Sequence, residues 1–231
     1  MYDNSDIQPI TWATFVYGKK TAVAIDAGAV NEIISFAKKA GVTIKSVTNT
    51  HSHYDHTSGN ASILEQTNAD FLDCKSLKHE KYIEIDGEKL EIFHSPGHMD
   101  DCITFKAYNC LITGGTLFNG TVGNCFSGDM KGFLESIKLL MSFPPETIIY
   151  SGHDYVREAI AFTKTIDKDN AELDAYLAKR NPYHVVSSIA DELEVNPFVR
   201  FNDEKIISIL KEKGLSRNSE YNRWKSVFEL Y

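Results

Sequence analysis

Short apolar runs alternate with amphipathic segments along the first two thirds of the chain. "TAVAIDAG" (21–28) predicts a buried strand that ends in a turn, and "VTIKSVTNT" (42–50) predicts a second strand. Between them, "VNEIISFAKKAG" (30–41) repeats its apolar residues at helical spacing, and Gly41 fits a C-terminal helix cap. The loop that begins near residue 50 therefore follows the C-terminal end of a strand, a position where loops often carry chemistry.

The same alternation continues further along the chain. "YIEIDGEKLEIFHS" (82–95) has apolar alternation on both sides of Asp86-Gly87, which indicates a β-hairpin. "CITFKAYNCLITGG" (102–115) predicts another strand pair, and "FLESIKLLM" (133–141) predicts a helix with one apolar stripe. "ETIIYSGHDY" (146–155) predicts a strand that runs into a loop.

The pattern changes near residue 155 to charged helical segments separated by Pro or Gly. These segments are "YVREAIAFTKTI", "NAELDAYLAKR", "SSIADELEV" and "DEKIISILKEKG". The sequence thus predicts a mixed α/β domain over residues 1–165 and a C-terminal helical region over residues 166–231.

Composition narrows the function classes. The chain has 231 residues, 42% of them hydrophobic, and a net charge of −8, which argues against a partner that is a nucleic acid or an anionic membrane. No stretch approaches the roughly 18 apolar residues of a membrane span, and the first residues show no signal peptide. Four cysteines without a CxxC pair favour reduced thiols. We expect a cytoplasmic protein, a monomer or small homo-oligomer.

"THSHYDHTSGN" (50–60) concentrates potential metal ligands in one loop. His51 and His53 alternate, so extended backbone would direct both side chains to the same side, while Asp55 and His56 are offset and could serve a second ion. Neutral imidazole and carboxylate are ligands of zinc, and iron accepts the same types. A solvated polar loop would not require this density of histidines, so the loop predicts a divalent-metal site.

One loop cannot complete two metal shells, so further ligands should follow later strands. "HSPGHMDD" supplies His98 after the hairpin, and "SGHDY" supplies His153 after the last strand. His94 lies inside a predicted strand, which favours a non-ligand. His79 and His184 lie in polar segments and are expected at the surface.

With these motifs the chain resembles the metallo-β-lactamase-fold hydrolases, whose pattern is THxHxDH, then PGH, GD and GH. It is most similar to glyoxalase II (hydroxyacylglutathione hydrolase), through "ITGGTLFNGTVGN", "PPETIIYSGHDY" and, in the helical tail, "SSIADELEVNPFVRF". The resemblance implies an αβ/βα sandwich of two mixed β-sheets flanked by helices. It also implies thioester hydrolysis at a binuclear metal centre, for example of S-lactoylglutathione to lactate and glutathione.

The resemblance also assigns residues. His51, His53 and His98 would hold one ion, and Asp55, His56 and His153 the second, with Asp55 and His56 counted as catalytic. The metals are expected to be two divalent ions, zinc first, with iron or manganese compatible with the same ligands.

Gly115 departs from the family pattern. The bridging aspartate of "TGDTLF" is a glycine here, "TGGTLF", so each ion would lose a ligand. We expect weaker occupancy of the second site and reduced activity, and we expect Gly115→Asp to raise both. The remaining ligands, three His beside Asp-His-His, resemble those of a subclass of true β-lactamases.

The substrate-binding positions differ as well. Asn124 and Cys125 stand where the family commonly has a lysine and an aromatic residue that contact glutathione. Tyr155 is retained, Lys225 keeps a basic position in the tail, and Arg223 lies close to another. A related thiol carrier is therefore an alternative to glutathione. A β-lactamase-type hydrolase and a non-catalytic protein that binds a thiol metabolite are the competing hypotheses.

Overall fold

Two mixed β-sheets form the centre of the computed structural model, which describes residues 7–10 and 13–231. The first sheet contains β1 (Ile7–Ile10), β2 (Ala13–Tyr17), β3 (Thr21–Ile25), β4 (Thr43–Thr48) and β5 (Asp70–Leu72), in that order. The second has the order β13-β12-β9-β8-β7-β6, with β6 (Tyr82–Ile85), β7 (Glu88–His94), β8 (Ile103–Ala107), β9 (Cys110–Gly114), β12 (Ile148–Ser151) and β13 (Ser187–Ser188). A separate two-stranded ribbon pairs β10 (Leu117–Phe118) with β11 (Thr121–Val122).

Parallel strand pairs determine where the chemistry-bearing loops lie. In the first sheet β3 is parallel to β4, and in the second β9 is parallel to β12. The C-terminal ends of parallel neighbours meet at the same edge of a sheet. The loops after these strands therefore approach one another at one end of the sandwich.

Helices cover the outer faces of both sheets. They are α1 (Val30–Ala40), α2 (Tyr54–Thr57), α3 (Asn60–Gln66), α4 (Cys74–Leu77), α5 (Met130–Met141), α6 (Val156–Ile166), α7 (Glu172–Lys179), α8 (Ile189–Val195), α9 (Glu204–Glu212) and α10 (Glu220–Leu230). Within the described ranges, no helix is long and apolar enough to span a membrane.

Three apolar layers hold the sandwich together. Val23 and Ile25 of the first sheet pack against Phe105 and Ile112 of the second. Outside the first sheet, α1 and α3 bury their apolar faces on the strands, and outside the second sheet α5, α8, α9 and α10 do the same around Trp224. This αβ/βα order confirms the predicted fold.

Most predicted elements appear at their predicted places. α1 ends at Gly41, whose φ of 71° is the left-handed cap conformation, and the hairpin of β6 and β7 turns at Asp86 and Gly87, both with positive φ. The structure adds elements that the sequence did not predict: the strands β1, β2, β5, β10 and β11, the short helices α2, α3 and α4, and the last helix α10. The first two residues of the predicted helix "SSIADELEV" form strand β13 instead, and the helix begins at Ile189.

The helical tail also contributes to the second sheet. Ser187 and Ser188 form β13, which pairs antiparallel with Ile149 and Ile148 of β12. Residues beyond 166 thus complete a sheet that begins in the first part of the chain. The predicted division between residues 165 and 166 stays a prediction. The two parts it separates share this sheet.

Candidate metal centre

The loop after β4 passes directly into a single helical turn. His51 and His53 precede α2, and Asp55 and His56 lie within it. The Asn49 amide donates to the His56 carbonyl at 2.7 Å and exchanges hydrogen bonds with the Asn60 amide, so the loop is fixed at its base. The helical turn is what offsets Asp55 and His56 from the first two histidines.

Three ring nitrogens converge in the first of two clusters. The Nδ1 atom of His53 lies 3.0 Å from Nε2 of His51 and 3.0 Å from Nε2 of His98. These atoms come from two loops 45 positions apart in the sequence.

Hydrogen bonds on the outer nitrogens fix the tautomers of this cluster. His98 Nδ1 donates to the Asn124 carbonyl at 2.9 Å, which leaves its Nε2 without a proton. The Thr50 hydroxyl donates to Asp26 at 2.8 Å, so it accepts from His51 Nδ1 at 3.0 Å, and the Nε2 of His51 is bare as well. His53 Nδ1 can donate to only one of these two atoms. At least two lone pairs therefore point at one spot, an arrangement that a cation satisfies.

Burial keeps His51 and His98 neutral. Desolvation, followed by the neighbouring His56, lowers the pKa of His51 to about 2. Desolvation likewise lowers the pKa of His98 to about 4. Metal ligation requires the neutral imidazole, so both side chains are in the ligating form at neutral pH.

The second cluster joins Asp55, His56 and His153. Asp55 Oδ2 lies 2.9 Å from Nε2 of His153 and 3.7 Å from Nε2 of His56. One potential ligand atom from each residue lies within 4.8 Å of the others, as in the three-histidine cluster. The ring centroids of His51 and His56 are 4.1 Å apart, so the two clusters are adjacent.

A buried carboxylate that the sequence analysis missed orients the second cluster. Asp26 lies at the end of β3 and contacts Nδ1 of His56 at 2.8 Å, which directs the other nitrogen of His56 toward Asp55. It also accepts from the Thr50 amide at 2.8 Å. Burial opposes the charges of both partners, but their attraction outweighs it, so the pKa of His56 is raised and that of Asp26 is lowered. The sequence places Asp26 directly after a predicted strand, but the pairing of β3 with β4 that brings it to His56 is visible only in the structure.

Glycines make room for the imidazole rings. A Cβ atom at Gly115 would lie 2.4 Å from Cδ2 and 2.7 Å from Nε2 of His98, and one at Gly152 would lie 2.7 Å from Cε1 of His56. The ring of His98 thus occupies the space where a side chain at position 115 would begin. Gly115 does not have positive φ, so the obstacle to an aspartate there is His98 and not the backbone.

Around the three-histidine cluster, the predicted substrate residues have different surroundings. Asn124 positions His98 through its backbone carbonyl and has an exposed side chain. Cys125 packs against the core beneath the helical tail. Phe126, which sequence reasoning missed, is 63% exposed, and its ring centroid lies 5.5 Å from that of His53.

Beside the second cluster, Tyr155 is where the sequence predicts it. Its ring stacks on His153 at a centroid distance of 5.4 Å. Arg223, in contrast, donates to the Asn202 side chain and the Arg217 carbonyl within the tail. Lys225 is exposed on α10. The structure therefore brings Tyr155 to the clusters, and the roles of Arg223 and Lys225 stay predictions.

The remaining histidines lie outside both clusters. His94 contacts the Asp100 carbonyl at 3.0 Å, and His79 and His184 are exposed, as the sequence analysis expects. Beside Asp55, His56 and His153, a cavity of about 260 Å³ extends toward the segment 182–185.

Comparison with known proteins defines the class first. The metallo-beta-lactamase superfamily profile matches residues 8–71. The structure is similar to the B3 metallo-beta-lactamase BLEG-1, with a TM-score of 0.64 and 19% identity over 84% of this chain and 99% of that one. It is also similar to ETHE1 from Myxococcus xanthus, with a TM-score of 0.65 and 22% identity over 94% of this chain and 91% of that one. The fold is that of the metallo-β-lactamases, a fold that binds divalent metal ions, and the two clusters are its candidate metal sites in the described residues.

Matches that cover most of the chain identify the family to which it belongs. The profile of the hydroxyacylglutathione hydrolase C-terminus matches residues 154–228. The hydroxyacylglutathione hydrolase of Pelagibacter ubique is 32% identical over 215 residues, covering 84% of this chain and 89% of that protein. That of Nitrosococcus oceani is 33% identical over 213 residues, covering 83% and 81%. The chain belongs to the hydroxyacylglutathione hydrolase family.

Proposed function

We propose that the protein is a metal-dependent hydrolase of thioesters, with S-lactoylglutathione or the thioester of a related small thiol as substrate. The observation that carries the proposal is the convergence of bare imidazole nitrogens at the open end of the sandwich, in a chain whose tail matches the C-terminal profile of hydroxyacylglutathione hydrolases.

The donor set fits a metal on structural grounds. His51, His53 and His98 would hold one ion, and Asp55, His56 and His153 a second. We propose zinc, with iron and manganese as compatible ions. A bound divalent ion would polarise the thioester carbonyl and lower the pKa of water.

The protein's own residues prepare the reaction site. Asp26 and the Asn124 carbonyl fix the rotation of His56 and His98, so the ligand atoms need no reorganisation. The Phe126 ring makes edge contacts with the rings of His53 and His98 and gives that side of the cluster an apolar surface. Because the departing thiolate is a good leaving group, the reaction does not require a strong general acid.

The test combines metal analysis with a thioester assay. Protein purified without chelator should contain at least about one ion per chain and hydrolyse S-lactoylglutathione. Protein that stays metal-free in the presence of zinc, iron and manganese would refute the proposal, as would metal-loaded protein that hydrolyses no thioester.

A β-lactamase-type activity is the second candidate, because Gly115 leaves a three-His plus Asp-His-His ligand set. Hydrolysis of a cephalosporin at a higher kcat/KM than any thioester would favour it. Metal binding without turnover of either substrate would favour the non-catalytic alternative.

We further propose that the helical tail closes one wall of the substrate cleft and places Tyr155 and Lys225 near the thiol carrier. Lys225→Ala should raise KM more than it lowers kcat, because contacts remote from the reacting atoms act mainly on ground-state binding. An unchanged KM for every thioester would exclude Lys225 from the carrier site.

A further inference from the structure

The cavity beside the second cluster has two distinct ends. One end is formed by Asp55, His56 and His153. The other is formed by the segment 182–185 between α7 and β13, together with Tyr150 of β12. A group held at the metal centre can therefore extend along the cavity toward this segment.

The charges of the cavity wall exclude an anionic occupant. The described lining includes the carboxylates of Asp26, Asp55 and Asp154 but no lysine or arginine. The guanidinium of Arg180, outside this lining, is held by hydrogen bonds to the carboxylate of Asp154. A thiol carrier with carboxylates, such as glutathione, would find no positive partner in this wall. The carrier then lies outside the cavity, on the far side of Tyr155, which borders it beside His153.

The remaining wall favours an uncharged group. Ile112, Pro182 and Val185 contribute apolar surface, and Tyr150 contributes a phenol ring. Burial raises the pKa of Tyr150 to about 12, so this phenol is neutral under working conditions. The imidazole of His184 lies against the Tyr150 ring at a centroid distance of 5.8 Å and is exposed at the rim.

The volume indicates the size of the occupant. About 260 Å³ is the space of roughly nine water molecules in the liquid, or of a similar number of non-hydrogen atoms. A lactoyl group has five such atoms and would leave much of the cavity unfilled. An acyl group such as phenylacetyl would fill it.

We propose that this cavity is the acyl pocket of the enzyme, and that its preferred substrates are thioesters of uncharged, largely apolar acyl groups larger than lactoyl. The proposal rests on the proposed thioester hydrolysis and specifies which side of the scissile bond the cavity receives.

The first experiment varies the acyl group on a fixed carrier, glutathione. With metal-loaded protein, kcat/KM for phenylacetyl should exceed that for acetyl by about tenfold or more, because each buried methylene adds discrimination. Butanoyl and succinyl form a matched pair of equal chain length, and succinyl should be at least about tenfold poorer, because its carboxylate has no cationic partner in the wall. Equal values within each pair would overturn the proposal.

The second experiment changes the wall. Val185→Phe fills the cavity and should lower the ratio of phenylacetyl to acetyl activity about fivefold or more, whereas Val185→Ala enlarges it and should preserve or raise that ratio. Melting temperature and metal content of both variants show whether the fold and the metal centre are intact. A ratio unchanged in both folded variants would contradict the assignment.

Binding of thioethers tests the acyl pocket independently of the proposed hydrolysis, because thioethers are not cleaved. S-phenethylglutathione should bind about tenfold more tightly than S-methylglutathione in calorimetry, and Val185→Phe should remove the difference. If this preference is found without thioester turnover, the pocket is supported and the proposed reaction is wrong. Equal binding of the two thioethers refutes the pocket, whatever the activity.

Discussion

The Glu192 network and the three-histidine cluster are both buried and polar, but only the first is complete. Glu192 is fully buried and accepts hydrogen bonds from the Tyr176 hydroxyl at 2.7 Å, the Ser187 hydroxyl at 2.7 Å and the Asn196 amide at 2.8 Å. The Gly120 amide donates to it as well, at 2.9 Å. Every lone pair faces a donor, so the network needs nothing from outside.

The three-histidine cluster has the opposite balance. The Nε2 atoms of His51 and His98 both face His53 Nδ1 without a proton, since the outer nitrogens of His51 and His98 already donate elsewhere, and His53 can donate to only one of them. The comparison shows how one fold separates two tasks. The Glu192 network, in which donors and acceptors are matched, joins the tail to the sandwich. The three-histidine cluster, which has more acceptors than donors, provides a binding site for a cation.

Metal removal should distinguish the three-histidine cluster from the Glu192 network most strongly. Chelation should abolish thioester hydrolysis, and added zinc should restore it. A bound ion present at 100 times its Kd contributes about 2.7 kcal/mol, so the melting temperature should fall by about 5 °C or more on chelation. Calorimetry with and without chelator measures this, and an unchanged melting temperature would show that the lone pairs do not hold an ion.

Glu192→Gln should break the complete network without touching the metal centre. The new amide would place donors against the donors of Asn196 and Gly120, which should cost about 3 kcal/mol in the free energy of unfolding. Denaturant unfolding measures it, and metal content per folded chain should not change. Glu194→Gln, on the exposed side of the same helix, is the control and should be neutral. Equal stabilities for the two variants would contradict this account of Glu192.

Asp26→Asn should weaken the second cluster through His56. Asparagine keeps the shape but loses the charge that orients the imidazole, and loss of such an outer partner typically costs 10–100-fold in metal affinity or activity. Metal titration should show a weaker second ion, and the exposed Asp70→Asn serves as control. Unchanged affinity would mean that His56 is positioned by its loop alone.

Substitutions at Gly115 should have the smallest effect and define what the glycine does. Gly115→Ala must shift the ring of His98, and we expect about tenfold weaker binding at the three-histidine site. Gly115→Asp causes the same shift but supplies a carboxylate, so it should bind metal more tightly than the alanine variant. If alanine has no effect, His98 can move freely. If aspartate is no better than alanine, the carboxylate does not reach an ion.

The ligand candidates were predictable because they are dense in the sequence or follow predicted strands. His51, His53, Asp55 and His56 share one short loop, and the hairpin before His98 was visible as strict alternation. Strand and helix periodicity likewise predicted a mixed α/β domain, whereas the sandwich was predicted from the family resemblance.

Residues whose role depends on distant contacts could not be found in this way. Asp26 precedes Thr50 by 24 positions, and only the parallel pairing of β3 and β4 brings them together. Helix α2 is only four residues long. One helical turn is too short for a periodic pattern of apolar residues to appear in the sequence. Helix α10 buries Trp224 and Val227 among polar neighbours, so its apolar stripe is narrow and the sequence did not predict it.

Strand β13 has a consequence for the order in which the chain becomes protected. Until Ser187 and Ser188 are synthesised and docked, β12 presents the unpaired edge of a sheet, with the apolar Ile148 and Ile149 on it. An open edge of this kind is a template for pairing between chains. Truncation before residue 187 should therefore yield a protein that aggregates, and during synthesis the edge of β12 stays open to intermolecular pairing until residues 187 and 188 have emerged.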